Sequence, residues 1–173
     1  MVKAINRPGS GAAGFTLLEV LVAVVVLSVG LLGLASLQVN GLRFNHSAYM
    51  RTQATLLAQE LADRMRANRP GFDANTYDNP SAVVVAPVLA CRTAAGCTAA
   101  QMAQNDIAEW QQALAALLPN GQGVVCREVV PIEAASTPAA PDCGGGNTYA
   151  IKIWWDDDRD GAPNQRFVVT LNN

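Results

Sequence analysis

The sequence predicts an α+β fold, and three observations carry that reading. An apolar run from Phe15 to Leu37 passes into a helical stripe that stops only at Arg69, Pro70 and Gly71. A second helix is announced by Thr98, Ala99, Ala100, Gln101, the pattern of a capping box. Three strand signals come after it, at Gly123 to Ile132, Tyr149 to Trp155 and Gln165 to Leu171. Helices first and strands last describe a long helix and an additional one packed on a small antiparallel sheet.

Each element has its local reason. From Phe15 to Leu37 the only polar side chains are Thr16, Glu19, Ser28 and Ser36, and these 23 residues would span roughly 30 Å or more as a helix, enough to cross a bilayer. Beyond them Ser47, Met50, Ala54, Leu57, Leu61 and Met65 recur at spacings of three and four, which is one helical face. Glu60 and Arg64 form an i, i+4 pair off that stripe. Pro70 disfavours α geometry in Arg69, so the helix is expected from about Phe15 to Asn68. No small domain buries so long a helix, and its first half must meet lipid or other subunits. Gly30, Gly33 and Gly41 are candidate weak points within it.

Pro70 to Pro87 is rich in Asn, Asp, Pro and Gly and reads as loop, with Val83 to Val85 a candidate short strand. The second helix presents Ala103, Ile107, Trp110, Leu114 and Leu117 as its apolar face and is closed by Pro119 and Gly121. Ala134 to Gly146 is rich in small residues, Pro and Gly, hence loop. The sequence holds no internal repeat.

The 173 residues allow about one ordinary domain beside the apolar segment. The net charge is −2; the first fourteen residues carry Lys3 and Arg7 and no acid, so the remainder holds 10 basic against 14 acidic side chains, or −4. That balance gives a nucleic-acid-binding surface no support. The basic leader, with small residues and then an apolar run after it, orients the chain beyond Leu37 outward from the cytoplasm. Cleavage near Gly33, Leu34, Ala35 would release an exported soluble domain beginning near Ser36. Cleavage after Gly14 would keep the apolar helix. Glu19 separates the two: an acid within an apolar export segment costs about 2.5 to 3.5 kcal/mol at a helix centre and less near an end. After a cut behind Gly14, Glu19 lies five residues into the product, and the new α-amino group of a neighbouring copy or homologous subunit can offset its desolvation.

Four cysteines, Cys91, Cys97, Cys126 and Cys143, lie beyond the apolar segment, and an even count in an exported chain favours disulfides. Of three connectivities, the sequence-local one (Cys91 with Cys97, Cys126 with Cys143) is preferred, because each bridge closes a loop without core residues of its own. Zinc is the competing reading, but the spacings do not match usual ligand sets. Asp156, Asp158 and Asp160, with Gly161, fit the opening of a calcium loop. An EF-hand would need Glu where Phe167 stands, and helical rather than strand flanks. The competing reading is an acidic hairpin loop.

Catalysis has little footing. His46 is the only histidine, and no GxSxG, HExxH, CxxC or GxxxxGKS pattern appears; an enzyme is rejected. Trp154 and Trp155 point to opposite faces of a strand. One belongs in the core, and the other is either a surface anchor for a partner or covered by the Pro-rich loop. Arg64, Arg66 and Arg69 suit the C-terminal dipole of the first helix.

The residues GFTLLEVLVAVVVLSVGLLGL resemble the type III signal of the type IV pilin and pseudopilin superfamily. That resemblance implies a pilin-like fold, cleavage after Gly14 by a prepilin peptidase, N-methylation of Phe15, an assembly role for Glu19 and packing of this helix into a filament core. It divides the chain into a leader (1–14), a membrane and filament-core half of the first helix (15–40) and a periplasmic head (41–173). GLRFNHSAYMRTQATLLAQELADRMRANRPG, AEWQQALAALLPNGQGVVCR and YAIKIWWDDDRDG are similar to minor pilins of the PilV type. Phe72 to Cys97 and Val129 to Asn147 carry none of this resemblance. The closer resemblance implies a low-abundance subunit of the inner membrane, later of the pilus. It would prime assembly with other minor pilins, the major pilin and the assembly platform, and in some systems support a tip adhesin. A type II secretion pseudopilin shares the N-terminal features.

Overall fold

The first helix starts where a threonine can cap it. In the computed structural model, which describes residues 14–129 and 136–172, the Glu19 backbone N–H donates to Thr16 Oγ1 (3.2 Å) and to the Thr16 carbonyl (3.1 Å). Helix α1 then runs over Leu17–Ala67. Three of its hydroxyls bond back along the helix, Ser28 to the Val24 carbonyl at 2.7 Å, Thr52 to the Ala48 carbonyl at 2.9 Å and Thr55 to the Arg51 carbonyl at 2.8 Å, so these need no outside partner. The chain divides into two compact units between Phe44 and Asn45.

In the second unit, α1 buries Met50, Ala54, Leu57, Ala58, Leu61, Ala62 and Met65. Ser47, placed on that stripe by its spacing, is only half-buried. Asn68 ends the helix and begins another: its side chain accepts from the Gly71 N–H, opening α2 over Arg69–Asp73. The sequence reads Pro70 and Gly71 as the start of a loop, whereas proline is well tolerated in a first helical turn, where its missing N–H has no partner to lose. Gly71 is required by close approach, since a Cβ there would stand 2.5 Å from Asn68 Nδ2 and 3.0 Å from the Ala99 carbonyl.

Val83 to Val85 does not form the expected strand. The Val85 N–H donates to Gln111 Oε1 (2.8 Å), and Gln111 Nε2 donates to the Val83 carbonyl (3.3 Å), so a side-chain amide takes the bonds a ladder would have used. The isolated bridge instead joins Asn79 to Val125. After a short 3-10 turn at Leu89–Arg92, α3 spans Ala99–Leu117 with the full capping box between Thr98 and Gln101. Ala103, Ile107, Trp110 and Leu114 are buried, but Leu117 is 47% exposed and Leu118 takes its place at 2%. Leu118 precedes Pro119 and is therefore extended, φ −116° and ψ 133°, which turns its side chain inward.

The sheet is antiparallel in the order β1 (Gln122–Glu128), β2 (Thr148–Trp155), β3 (Gln165–Asn172). Residues 130–132, at the end of the expected first strand, lie outside the described residues. Register sets Val125 opposite Ile151 and Ile151 opposite Val169, with Gly123 opposite Ile153 and Ile153 opposite Phe167. These positions share the inner face, and Val125, Tyr149, Ile151, Ile153, Trp155 and Leu171 join the helices in one core. Helix α3 lies so close over β1 that a Cβ on Gly123 would run into the rings and methyls of Trp110 and Leu114. From Tyr149 to Trp155, β2 is buried on both faces.

Candidate functional site

The apolar half of α1 is bare. Phe15 is 83% exposed and Leu17 85%, and the first buried residue of the helix is Met50. This segment is long and apolar enough to cross a membrane. At roughly 25 cal/mol per Å² of apolar surface, such a rod left in water carries a large free-energy cost that lipid or a helical bundle removes. Gly14 and Phe15 sit in exposed coil just before it, and nothing lies within 4 Å of a Cβ built on Gly14. The peptide bond between them is open to solvent. Residues 1–13, the rest of the expected leader with Lys3 and Arg7, lie outside the described residues.

Glu19 stands in the first turn of α1, where the positive end of the helix dipole favours a carboxylate. It lies one helical turn from Phe15, and with Val20, Ala23, Val24 and Leu27 the two line a shallow concavity of about 440 Å³. Glu19 is the only charged residue among the described residues of that lining, and the only one in the run from Phe15 to Leu37.

In the second unit the cysteines pair as Cys91 with Cys97 and Cys126 with Cys143. The second bridge ties the outer face of β1 to the loop before β2. Beneath it lies a group the sequence analysis did not single out. Lys152 Nζ, fully buried, donates to the Glu128 carboxylate and to the carbonyls of Pro141 (2.5 Å) and Asp142 (2.8 Å). The same loop covers Trp154, whose Nε1 donates to the Ser136 carbonyl at 3.0 Å. Both tryptophans are thus buried, Trp155 in the core and Trp154 under the Pro-rich loop, and the surface-anchor reading falls.

Asp156 is 3% exposed. Its Oδ1 accepts from the Asp160 N–H (3.2 Å) and its Oδ2 from the Gly161 N–H (2.8 Å), while Asp160 Oδ1 accepts from the Ala162 N–H (2.9 Å). Burial works to raise the Asp156 pKa, but the donated amides, that of Gly161 foremost, hold it below the usual aspartate value. Carboxylate atoms of Asp156, Asp158 and Asp160 lie within 4.8 Å of one another. The donors are the hard oxygens calcium takes, yet both oxygens of the buried member already close the loop on itself. His46 Nε2 lies 3.4 Å from Arg159 Nη2, beside this loop.

Arg64 does more than complement a helix dipole. It reaches Glu60 (2.7 Å), Glu109 (2.7 Å) and Asp106 (3.4 Å), and Glu109 also receives Arg92 at 2.8 Å. Tyr77 OH donates to Asp106 at 2.5 Å and accepts from Asn68 at 3.2 Å. Hydrogen bonding to Glu109 holds the Arg64 proton more tightly still, and the Arg64 guanidinium, with help from Arg92, pulls the Glu109 carboxyl down to about 2. Burial, then the Asp106 carboxylate, push the Tyr77 hydroxyl well above its ordinary value. Arg66 pairs with Asp63 (2.8 Å) and Arg69 with Asp73 (2.9 Å), so the basic helix end is matched by acids.

Residues 9–35 match the prokaryotic N-terminal methylation motif, and residues 36–108 match the Tt1218-like family, described as Type IV pilin Tt1218. No curated protein and no solved structure matches the chain. The motif covers Gly14, Phe15, Glu19 and most of the apolar run; the pilin match begins at the next residue and extends into α3. Together with the bare N-terminal helix and the α+β head, these two matches support the type IV pilin superfamily for this chain.

Proposed function

We propose that the chain is a minor pilin of the PilV type, a structural subunit without catalytic activity. A prepilin peptidase cuts after Gly14, Phe15 becomes the N-methylated first residue, and residues 15–40 anchor the subunit in the inner membrane. The head, residues 41–173, stands in the periplasm until the subunit joins other minor pilins and the major pilin on the assembly platform to prime a pilus, with a tip adhesin as a further partner. The observation that carries this reading is the bare apolar helix with one acid, Glu19, five residues beyond Gly14.

The mechanism is transfer of a helix between two apolar surroundings. Lipid tails and a helical bundle offer α1 nearly the same hydrophobic gain, so extraction from the membrane is close to balanced. Glu19 breaks the balance when it meets the α-amino group of an adjoining subunit, since each charge offsets the other's desolvation and fixes axial register.

Mass spectrometry of the N-terminus of the chain purified from its native membranes tests the reading. N-methyl-Phe15 is the expected first residue; a chain starting near Ser36 overturns it in favour of an exported soluble domain. The methylation motif over residues 9–35 also serves a type II secretion pseudopilin. Deletion of the gene discriminates, stopping piliation in one case and protein export in the other.

A further inference from the structure

The end of the sheet where Thr148 stands opposite Asn172 opens into a cavity of about 500 Å³, lined by Asn75, Arg127, Asn147, Thr148 and Asn172. Each of these side chains can hydrogen-bond, and none is acidic. The bonds they make to one another and to the sheet engage their acceptors. Arg127 Nη2 donates to Asn147 Oδ1 (3.1 Å), Thr148 Oγ1 to Asn172 Oδ1 (3.3 Å), and the hydroxyl of buried Tyr149 faces Asn75 Oδ1 at 3.5 Å. A guanidinium has no acceptor, so the first of these contacts fixes the Asn147 amide with its oxygen toward Arg127.

What remains is a set of donors. The side-chain NH2 groups of Asn75, Asn147 and Asn172, and Nε and Nη1 of Arg127, have no partner among the described residues. Arg127 lacks an ion pair there as well, whereas Arg64, Arg66, Arg69 and Arg92 each meet a carboxylate at 2.7 to 2.9 Å. The acids close to Arg127 are engaged elsewhere. Glu128, its neighbour in the strand, holds Lys152 on the opposite face, and Asp78 Oδ1 accepts from the Arg127 backbone N–H (3.0 Å). A guanidinium beside unpartnered amide donors, in a concavity with no acid in its lining, is built to receive an anion.

We propose that this cavity binds a small hydroxylated carboxylate, the chemistry of an acidic sugar. The fork of Arg127 matches the two oxygens of a planar carboxylate, and its single positive charge balances one such group. A doubly charged phosphate or sulfate would be left half-neutralised. The amides of Asn75, Asn147 and Asn172 flank the guanidinium with neutral donors, which suit the oxygens of hydroxyl groups beside the carboxylate. The volume falls in the range of small-molecule sites, about 300–1,000 Å³. Because Arg127 is only half-buried, solvent and salt screen its charge, so binding is weak and falls as ionic strength rises.

Titration of the full chain in detergent micelles, followed through the side-chain N–H resonances of Arg127, Asn147 and Asn172, tests this. Galacturonate is the probe and galactose its uncharged counterpart, both at constant ionic strength. Galacturonate should shift all three resonances saturably, and galactose should leave them in place. Asn172→Asp keeps the oxygen that Thr148 uses but replaces an amide donor with a negative charge. It should abolish binding at an unchanged melting temperature, since Asn172 is exposed. Arg127→Gln should weaken binding about tenfold or more, the loss expected when hydrogen bonds to a charged group are removed. Arg127→Lys, which keeps the charge without the fork, should fall between. The proposal is overturned by the absence of a saturable shift, or by a response to galactose equal to that to galacturonate. Tighter binding of inorganic phosphate or sulfate overturns it too, as does undiminished binding by Asn172→Asp.

Discussion

Lys152 lies against Glu128 diagonally across β1 and β2, on the outer face of the sheet beneath the loop that the Cys126–Cys143 bond holds in place. The lysine stands opposite Val124 in the register and reaches past Cys126 to its acid. Two carbonyls take its remaining protons, so the ammonium has all three donors placed. Removing one partner of a buried pair strands the other charge, at about 3–5 kcal/mol. Lys152→Met alone should therefore cost that much in chemical denaturation, and Lys152→Met with Glu128→Leu should recover most of it. A single variant no less stable than the double one would show that the pair is not a coupled unit.

Glu109 predicts a pH dependence. Its folded pKa, about 2, lies below that of an unfolded glutamate because Arg64 and Arg92 bond to it. A depressed carboxylate stabilises the fold above its unfolded pKa, and that contribution is lost as pH falls from about 4.3 to about 2. Because the side chain is 26% exposed, screening reduces the stabilisation to about 1–2 kcal/mol. Glu109→Gln should lose that amount at pH 7 and flatten the decline in stability below pH 4.5. An unaltered acid limb in the variant would remove Glu109 as its source.

These two clusters also mark where the sequence is silent. Elements whose cause is local were legible: the capping box at Thr98, the stripe from Met50 to Met65, the three strands. The partners of Arg64 on α3 are 42 and 45 residues away, and no periodicity reveals which surface charges a fold will bring together. Lys152 and Glu128 escape for a similar reason, because each taken alone reads as an outward-facing strand residue. Arg69–Asp73 was hidden by a proline that breaks helices in their interior but starts them at the first turn. At the N-terminus the residues of the proposed chemistry, Gly14, Phe15 and Glu19, stand within six positions of one another, so the sequence alone suffices to propose them.

The loop after β2 should depend on Asp156 as its own cap. Asp156→Ala removes the acceptor of two backbone amides and should lower the melting temperature, with Asp156→Asn intermediate because one oxygen remains. The stabilisation from this group is present above the pKa of an unfolded aspartate and fades as pH falls through the lower folded value. Since Asp156 is already committed to the loop, millimolar calcium should leave the melting temperature of the wild type and of Asp158→Ala unmoved. A calcium-dependent rise that disappears in Asp158→Ala would instead assign the three carboxylates to a cation.

Glu19 should matter for filament assembly and not for membrane insertion. In lipid the carboxylate is a cost near the end of the helix, so Glu19→Ala should insert in the membrane at least as well as the wild type. In a bundle the same group is the one charge on an apolar surface that includes Phe15 and Val24, and under the proposed mechanism its removal deletes the pairing that favours the bundle over the bilayer. The variant should accumulate in the inner membrane with normal leader cleavage while its incorporation into filaments falls several-fold, read by immunoblot of sheared pili against membranes. Glu19→Asp keeps the charge but shortens its reach, and should fall between the two. Equal incorporation of all three chains would mean that packing of the apolar surface alone selects the subunit, and that the acid has no part in drawing the helix out of lipid.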